Sequence, residues 1–493
     1  MPTLQDVQVV CKTRGIIFPT AEIYSGMSGF FDFGPVGTLL KQKFVDYWRE
    51  VFVRSQDNVF EIDGSTVLPE KVLIASGHVD SFVDPIAQCK KCKSIHRADH
   101  LIEEKTGEFV EGKSTEELTE IIKKNKIVCP KCEGELMGVR VFNLMLKTEI
   151  SPTRGQIGYL RPETAQNIFT AFNRVYRTTR SKLPMGIAQV GHSFRNEISP
   201  RNFVVRVREF SQMEVEMFID PRDIKCPLFD EVKDIEINLV TREAQQKGGE
   251  MIKIKVGDAV AKGIVSNQWL GYFLGKEFLF YKSLGIPEDA LRFRHMLPEE
   301  TPHYSKGNFD LEIKFDFGWK ETVGNAYRTD HDLKNHMKHA GVDLSVQTDN
   351  GKVVPHVVEP SFGVERTIAG ILLHNYVEDK ERGWNWFKFP ARIAPYICAV
   401  FPLMRKDGMP EKAKEIMKEL KEEGFDVFFD SSGSIGKRYA RSDEIGTPFA
   451  VTVDYDTLKD NTVTIRNRDS TKQIRVHEKD LKVFLEGALR GLR

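Results

Sequence analysis

The chain has 493 residues, 41% hydrophobic and 29% charged, which predicts two or three globular domains and excludes a disordered protein. Lys and Arg together number 71, as do Asp and Glu, and this zero balance argues against coating nucleic acid through bulk charge. No apolar run approaches the roughly 20 residues that span a bilayer. The N-terminus lacks a basic segment followed by an apolar one, so we expect a cytoplasmic protein without a membrane partner.

The first 85 residues are predicted to mix strands with one helix. Leu40, Phe44 and Trp48 recur at helical spacing behind Gly34 and Pro35, a plausible helix start. The pattern predicts a helix over residues 36–52.

Residues 86–140 are predicted to form an insertion that contains two CxxC pairs. Cys89 and Cys92 precede a charged helical stretch, and Cys129 and Cys132 follow it. Four thiolates suit a tetrahedral Zn²⁺ ion, and a site closed by four ligands is structural rather than catalytic. The alternatives are reduced cysteines that pair by chance or a redox CxxC. An odd total of seven cysteines argues against a disulfide framework.

Residues 141–220 are predicted to consist of strands and loops, with two strands over residues 186–218. One face of the second strand alternates arginines, an aromatic residue and carboxylates, from Arg206 to Glu216. An ATP-dependent site for a carboxylic acid needs a guanidinium for phosphate, an aromatic face for adenine and acceptors for its amino group. The alternative is an ordinary half-buried strand with a solvated face.

The second half of the chain contains one further candidate segment. Residues 221–300 show no motif and are predicted to be a helical insertion, whereas residues 310–379 return to strands and then a helix. In residues 356–378 a strand precedes an apolar helix whose first turn holds Arg366, where the helix dipole favours an anion. The alternative is an arginine at the edge of a buried helix. Two prolines in 387–395 indicate a linker before a C-terminal α/β domain.

These segments resemble the class II aminoacyl-tRNA synthetases. FRNE with RVREF resembles motif 2 of that class, GVERTIAGIL motif 3, and SGFFDFGPVG, which contains Pro35, motif 1. The strings YLRPETAQ, RNEISPR, VEPSFGVER and GKRYARSDEIGTPF point within the class to the glycyl-tRNA synthetases. The resemblance implies an α+β fold with an antiparallel-sheet catalytic domain (1–390), the zinc-ribbon-like insertion and an α/β anticodon-binding domain (391–493). It also implies a homodimer formed through motif 1.

The same resemblance implies the substrates and the site residues. ATP, with Mg²⁺, glycine and tRNA-Gly would be bound, and the residues that carry the chemistry would be Arg195, Glu197 and Arg366. The other ATP contacts would be Asn196, Val205, Arg206, Val207, Arg208, Glu209, Phe210, Glu321, Thr322, Gly363, Val364 and Glu365. Glycine would contact Arg97, Glu163, Phe210, Ser211, Gln212, Met213, Glu214, Glu359, Pro360, Ser361, Phe362 and Gly363.

The sequence departs from the family pattern at two positions and leaves two rival functions open. Asn167 follows RPETAQ where glycine is usual, and Phe203 replaces a glycine often seen in the motif 2 loop. One rival is a synthetase for proline, threonine, serine or histidine, against which the glycyl-type strings argue. The other is a catalytically dead paralogue, which would be expected to lose the ATP arginines that this chain retains.

A small basic patch is predicted on the C-terminal domain. Lys437, Arg438 and Arg441 lie close together in the sequence, as do Arg466 and Arg468. RNA loops are bound through stacking, base-edge hydrogen bonds and phosphate contacts, so a patch of this size would suffice. The alternative is the solvated face of an ordinary α/β domain.

Overall fold

A computed structural model describes residues 2–108, 110, 112–151, 155–246, 248–301 and 305–491. The N-terminal elements are α1 (Leu4–Thr13), β1 (Ile17–Pro19), β2 (Phe31–Phe33), α2 (Pro35–Arg49), β3 (Val59–Ile62), β4 (Val67–Pro69), α3 (Glu70–Ala75) and α4 (His78–Ser81). The predicted helix is confirmed as α2, which begins at Pro35 because proline suits the first helical turn. Its apolar stripe, Leu40, Phe44 and Trp48, is buried.

The cysteine-containing region folds as a small unit on its own core. Its elements are β5 (Val83–Gln88), β6 (Ile95–Arg97), α5 (Ala98–Thr106), α6 (Thr115–Lys124) and β7 (Arg140–Asn143), and the strands pair in the order β6-β5-β7. The predicted charged helix is confirmed as α6, which begins with a capping box between Ser114 and Glu117.

Residues 141–220 contain a long helix that the prediction of strands and loops missed. The elements here are β8 (Leu146–Glu149), β9 (Ile157–Leu160), α7 (Ala165–Thr179), β10 (Met185–Phe194) and β11 (Glu209–Ile219). Helix α7 forms because Ile168, Phe169 and Phe172 are spaced to bury one face. The second predicted strand begins only at Glu209, so Arg206 and Arg208 lie in the connection before it.

The prediction of a helical insertion over 221–300 is wrong. This interval contains β12 (Glu236–Val240), α8 (Arg242–Gln246), β13 (Ile252–Lys255), α9 (Val256–Ala261), α10 (Gln268–Ser283) and β14 (Leu291–His295). The three strands pair in the main sheet, where Ile237 and Leu239 are fully buried. The charged residues around β12 suggested a helix. Because its apolar side chains are buried in the sheet, the segment forms a strand instead.

A nine-stranded sheet forms the centre of the catalytic region. The elements that complete the region are β15 (Asn308–Phe315), β16 (Gly318–Thr329), α11 (His331–Ala340), β17 (Val346–Thr348), β18 (Gly351–Val353), β19 (His356–Gly363), α12 (Val364–Asn375), β20 (Tyr376–Val377) and β21 (Trp386–Phe387). The strand order is β13-β12-β14-β15-β16-β19-β11-β10-β3, antiparallel except for the β12–β14 and β10–β3 pairs. Helices α2, α10 and α12 share one hydrophobic cluster with the central strands, whereas α7 and α11 belong to another. The predicted α+β class is confirmed.

The C-terminal region has a separate sheet and a separate core. It comprises β22 (Cys398–Pro402), α13 (Met409–Glu422), β23 (Val427–Phe429), α14 (Ile435–Glu444), β24 (Phe449–Val453), α15 (Thr457–Asp460), β25 (Thr462–Asn467), β26 (Gln473–His477) and α16 (Leu481–Leu489). The strand order is β23-β22-β24-β25-β26, and the predicted strand–helix–strand start is confirmed. None of the helices in the described ranges combines the length and the apolar character needed to cross a bilayer.

Candidate active site

A cavity of about 390 Å³ opens over the central strands β11, β16 and β19. The connection between β10 and β11 and the first turn of α12 complete its walls. The predicted residues that line it are Glu163, Arg195, Glu197, Val205, Arg206, Val207, Phe210, Gln212, Glu214, Glu321, Thr322, Glu359, Ser361, Gly363, Glu365 and Arg366. Segments far apart in the sequence therefore meet in one concave site.

One end of the cavity is rich in buried carboxyl groups. Glu214 Oε1 accepts hydrogen bonds from Gln212 Nε2 (2.9 Å) and Ser361 Oγ (2.5 Å), and the Thr164 hydroxyl donates to its other oxygen. Glu163 Oε1 accepts from Gln166 Nε2 at 2.9 Å. Converging carboxyl groups favour a small cation such as an ammonium.

Arg328 supplies the main positive charge at this carboxyl-rich end. Its Nη1 lies 2.6 Å from Glu359 Oε2, and its Nε lies 2.8 Å from Asp332 Oδ2. Burial and the neighbouring charges of Glu359 and Glu163 raise the pKa of Glu214 to about 8. Burial alone would also raise the pKa of Glu163, but the nearby His78 and Arg328 hold that pKa below its ordinary value.

The other end of the cavity presents arginines and an aromatic ring. The Arg195 guanidinium lies 5.3 Å from the ring centres of both Phe82 and Phe210, and its Nε donates to Pro162 O at 3.2 Å. Arg366 Nη1 donates to Glu321 O at 2.7 Å. Both guanidiniums line the cavity, so this end suits a phosphate group beside a planar base.

Several predicted contacts do not line this cavity. In a strand, successive side chains point to opposite faces, so Ser211, Met213, Pro360 and Phe362 lie behind the residues that do. Phe362 stacks edge-on against Trp48 at 5.8 Å in the core. Arg97, Asn196, Arg208, Glu209 and Val364 also lie outside the lining.

Local contacts explain two of these exclusions. Arg97 forms ion pairs with Asp84 and Asp99 within the cysteine-containing unit. Arg208 donates to the backbone oxygens of Glu197 (3.0 Å) and Ser28 (2.8 Å). Both guanidiniums are therefore engaged in holding the fold.

The structure adds cavity residues that the motifs did not indicate. Gly324, Ala326 and Arg328 alternate along β16 and line the cavity, and this period of two was the signal in the sequence that could have indicated them. Arg294 and Asp310 also line it and form an ion pair of 3.0 Å. Arg294 was missed because it lies in the interval predicted as a motif-free insertion.

The two departures from the family pattern have structural consequences. Phe203 has φ +55°, a left-handed conformation that explains why glycine is usual there, and its ring packs edge-on against Phe31 at 5.4 Å. Asn167 donates to Ser65 O at 3.1 Å and accepts from Arg161 at 3.3 Å. Its side chain thus fixes the segment before Glu163.

The four predicted zinc ligands converge in the inserted unit. The sulfur atoms of Cys89, Cys92, Cys129 and Cys132 all lie within 4.8 Å of one another. The Cys89–Cys132 and Cys92–Cys129 separations, 3.5 and 3.7 Å, are close to the roughly 3.8 Å that tetrahedral Zn–S bonds impose. A Cβ at Gly134 would lie 2.9 Å from the Cys89 sulfur, so the turn leaves room only for the cluster. The donor set therefore fits Zn²⁺.

The predicted basic patch on the C-terminal domain is largely internal. Arg438, Arg466 and Arg468 are 2%, 5% and 3% exposed. They bind backbone carbonyls and the Asp443 carboxylate, because a buried guanidinium needs acceptors for its donors. Arg441 is paired with Asp430, which leaves Lys437 as the exposed member of the predicted set.

Comparison with known proteins agrees with this architecture. The family model "tRNA synthetase class II core domain (G, H, P, S and T)" matches residues 150–375, and "Anticodon binding domain" matches residues 398–487. The glycine–tRNA ligase of Methanothermobacter thermautotrophicus is 42% identical, with 98% of both chains aligned. Those of Pyrococcus furiosus and Aeropyrum pernix are 42% and 41% identical, with 95% and 94% of this chain aligned. The chain therefore belongs to the glycine–tRNA ligase family of class II aminoacyl-tRNA synthetases.

Proposed function

We propose that the cavity over β11, β16 and β19 carries out the two-step, ATP-dependent ligation of glycine to tRNA-Gly. The observation that carries this proposal is that one cavity joins an end rich in arginines to an end rich in carboxyl groups. The first end suits the phosphates and adenine of ATP, and the second suits the ammonium of an amino acid.

In the first step, a carboxylate oxygen of glycine attacks the α-phosphorus of ATP and pyrophosphate leaves, which forms glycyl-adenylate. Arg195 stabilises charge on the α-phosphate, and Arg366 holds the leaving phosphates. Phe210 stacks on adenine, and Glu197, already held by Arg206 at 2.7 Å, accepts from the adenine amino group. Catalysis then depends on in-line positioning and charge stabilisation rather than on an enzyme nucleophile.

In the second step, the 3′-terminal ribose hydroxyl of tRNA attacks the adenylate carbonyl and AMP leaves. Glu163, Glu214 and Glu359 surround the glycine ammonium throughout, with Ser361 beside them. Amino acids with larger side chains are rejected by overlap with the groups that surround the ammonium, among which Glu214 and Ser361 are held together at 2.5 Å.

Glu321 and Asp310 would hold Mg²⁺, since both line the cavity and carboxylate oxygens are its preferred protein ligands. Bound there, the ion would neutralise phosphate charge during adenylate formation. In the inserted unit, Zn²⁺ on the four cysteines would be structural, because four protein ligands leave no open position. Metal analysis of the purified protein and of Cys129→Ser tests the zinc assignment, and a protein without bound zinc would refute it.

The domain limits, oligomeric state and location are also part of the proposal. Residues 1–390 form the catalytic domain and residues 391–493 bind the anticodon. A homodimer forms through the motif 1 region, which Ile23 and Tyr24, 89% and 80% exposed, precede in the chain, and light scattering will give its mass. We also propose that the protein acts in the cytoplasm.

The test of the reaction is amino-acid-dependent exchange of pyrophosphate into ATP, with glycine, alanine, serine and proline compared. Exchange with glycine alone, followed by charging of tRNA-Gly, is the expected result. Exchange with another amino acid would agree with a class II synthetase but would refute glycine as its substrate. Absence of exchange with every amino acid, from folded and zinc-replete protein, would overturn the proposed reaction.

A further inference from the structure

Lys41, on helix α2, contacts two segments, β11 and α12, whose neighbouring residues line the ATP end of the cavity. Its Nζ donates to Glu365 Oε1 at 2.7 Å and to Ser211 Oγ at 2.9 Å. Glu365 Oε2 in turn accepts the backbone N–H of Ser211 at 2.6 Å. These three contacts form a closed triangle between α2, β11 and α12.

The triangle changes the role expected for Glu365 and Ser211, which sequence analysis predicted as ATP and glycine contacts. Both oxygens of the Glu365 carboxylate are occupied by internal donors. The Ser211 side chain faces α2 rather than the substrate cavity. Glu365 lines the cavity but is held at both oxygens by internal donors, and Ser211 does not line it, so both are better explained as parts of a brace.

The neighbours of these two residues explain what the brace aligns. Glu365 directly precedes Arg366, and Ser211 directly follows Phe210. Arg366 and Phe210 line the cavity from different elements, α12 and β11. A bond between Glu365 and Ser211 therefore fixes the separation of the two groups proposed to hold ATP.

Partial burial strengthens the ion pair between Lys41 and Glu365. The Glu365 side chain is 7% exposed and that of Lys41 is 22% exposed, so water screens the pair less than it screens a surface pair. The ammonium also lies 4.8 Å from the centre of the Phe33 ring, which adds a cation–π contact. Without Lys41, the buried Glu365 carboxylate would lose the counter-ion that holds it in place.

We infer that Lys41 is a positioning residue: through Glu365 and Ser211 it sets the placement of Arg366 relative to Phe210. This inference rests on the proposed ATP site. Helix α2, which begins within the motif 1 string, would then have a function within its own subunit, separate from any contact with a second copy.

The test is glycine-dependent pyrophosphate exchange by the full chain carrying Lys41→Met, Lys41→Arg or Lys43→Met. Lys43 is a matched control, since it lies on the same helix, is 21% exposed and pairs with Asp426 at 2.8 Å, away from the cavity. For Lys41→Met we expect KM for ATP to rise about tenfold while KM for glycine changes less than about threefold. Lys41→Arg should recover part of the loss, and Lys43→Met should match the wild type.

Other outcomes overturn the inference. Unchanged kinetics of Lys41→Met would do so, as would an equal rise in KM for both substrates. A mass change by light scattering would do so too, because the residue would then act through assembly. If Lys41→Met does not fold, Glu365→Gln tests the same link and should show the same selective rise in KM for ATP. Wild-type exchange with another amino acid would refute the proposed substrate and leave the ATP comparison intact.

Discussion

The cavity and the C-terminal domain use arginine in opposite ways. In the cavity, Arg195 and Arg366 donate to the backbone oxygens of Pro162, Val205 and Glu321, and both guanidiniums line the open space. In the C-terminal domain, Arg466 is enclosed and makes a two-bond pair with Asp443, at 2.8 and 3.0 Å. Both kinds of arginine look alike in the sequence.

A structural arginine differs from a binding arginine in having its N–H donors hydrogen-bonded within the protein. The local density of positive charge in the sequence does not separate the two. A guanidinium has five N–H donors, and burial requires acceptors for them. Arg468 meets this requirement with the backbone oxygens of Gly446 (2.7 Å) and Phe389 (2.9 Å). A ligand is needed only where such acceptors are missing.

The largest expected effect comes from breaking the buried pair in the C-terminal domain. Arg466→Ala would leave Asp443 buried with a weaker partner, Arg382 at 3.3 Å, and should destabilise the domain by about 3–5 kcal/mol. Hydrogen exchange of β24 and β25 amides in the full chain measures this, with Arg466→Lys as the charge-preserving control. If the amides of Arg466→Ala exchange as slowly as those of the wild type, the buried Arg466–Asp443 pair does not stabilise the domain.

The next effect concerns catalysis without a change in stability. Arg195→Ala should reduce kcat for glycine-dependent pyrophosphate exchange by roughly 10²–10³-fold, because it removes a donor aimed at developing charge. Its thermal unfolding should stay close to that of the wild type, since within the described residues its side chain makes one hydrogen bond, to Pro162, besides its two ring contacts. A large fall in melting temperature would place Arg195 with the structural arginines.

The carboxyl-rich end offers a smaller, pH-dependent test. Burial raises the pKa of Glu214 to about 8, so the folded chain keeps a proton that the unfolded chain loses near the ordinary pKa of glutamate. The associated stability is fully present below that ordinary pKa and is lost as pH rises through about 8, by at most about 1.4 kcal/mol per pH unit. Urea unfolding from pH 5 to 9 should show a shallower decline for Glu214→Gln. Equal slopes would mean that Glu214 is ionised in the folded chain.

The smallest effect tests the exposed remainder of the predicted basic patch. Lys437→Ala should change the unfolding free energy by less than about 0.5 kcal/mol. It should raise KM for tRNA-Gly about threefold at low salt, because one phosphate contact is lost, and should leave pyrophosphate exchange unchanged. An unchanged KM for tRNA would remove Lys437 from the RNA surface.

Local sequence predicted the elements whose signals are local. Helix α2 follows from Pro35 and an apolar stripe, α6 from its capping box, and α13 from a charged helical pattern that ends before Gly424. The two CxxC pairs likewise indicated one cluster, because each pair is a single turn. The motif strings led to the cavity and to most of its lining.

Tertiary structure decided which residues face the cavity and which arginines are saturated. Pairing of β11 with β19 directs Glu214 and Ser361 inward and leaves Met213 and Phe362 in the core, a choice set by strand register. The strands within 221–300 and the buried Arg466–Asp443 pair also depend on partners distant in the sequence. A sequence specifies which groups are present, but only the fold specifies their burial and their partners, and these determine whether a charged side chain binds a ligand or holds the protein together.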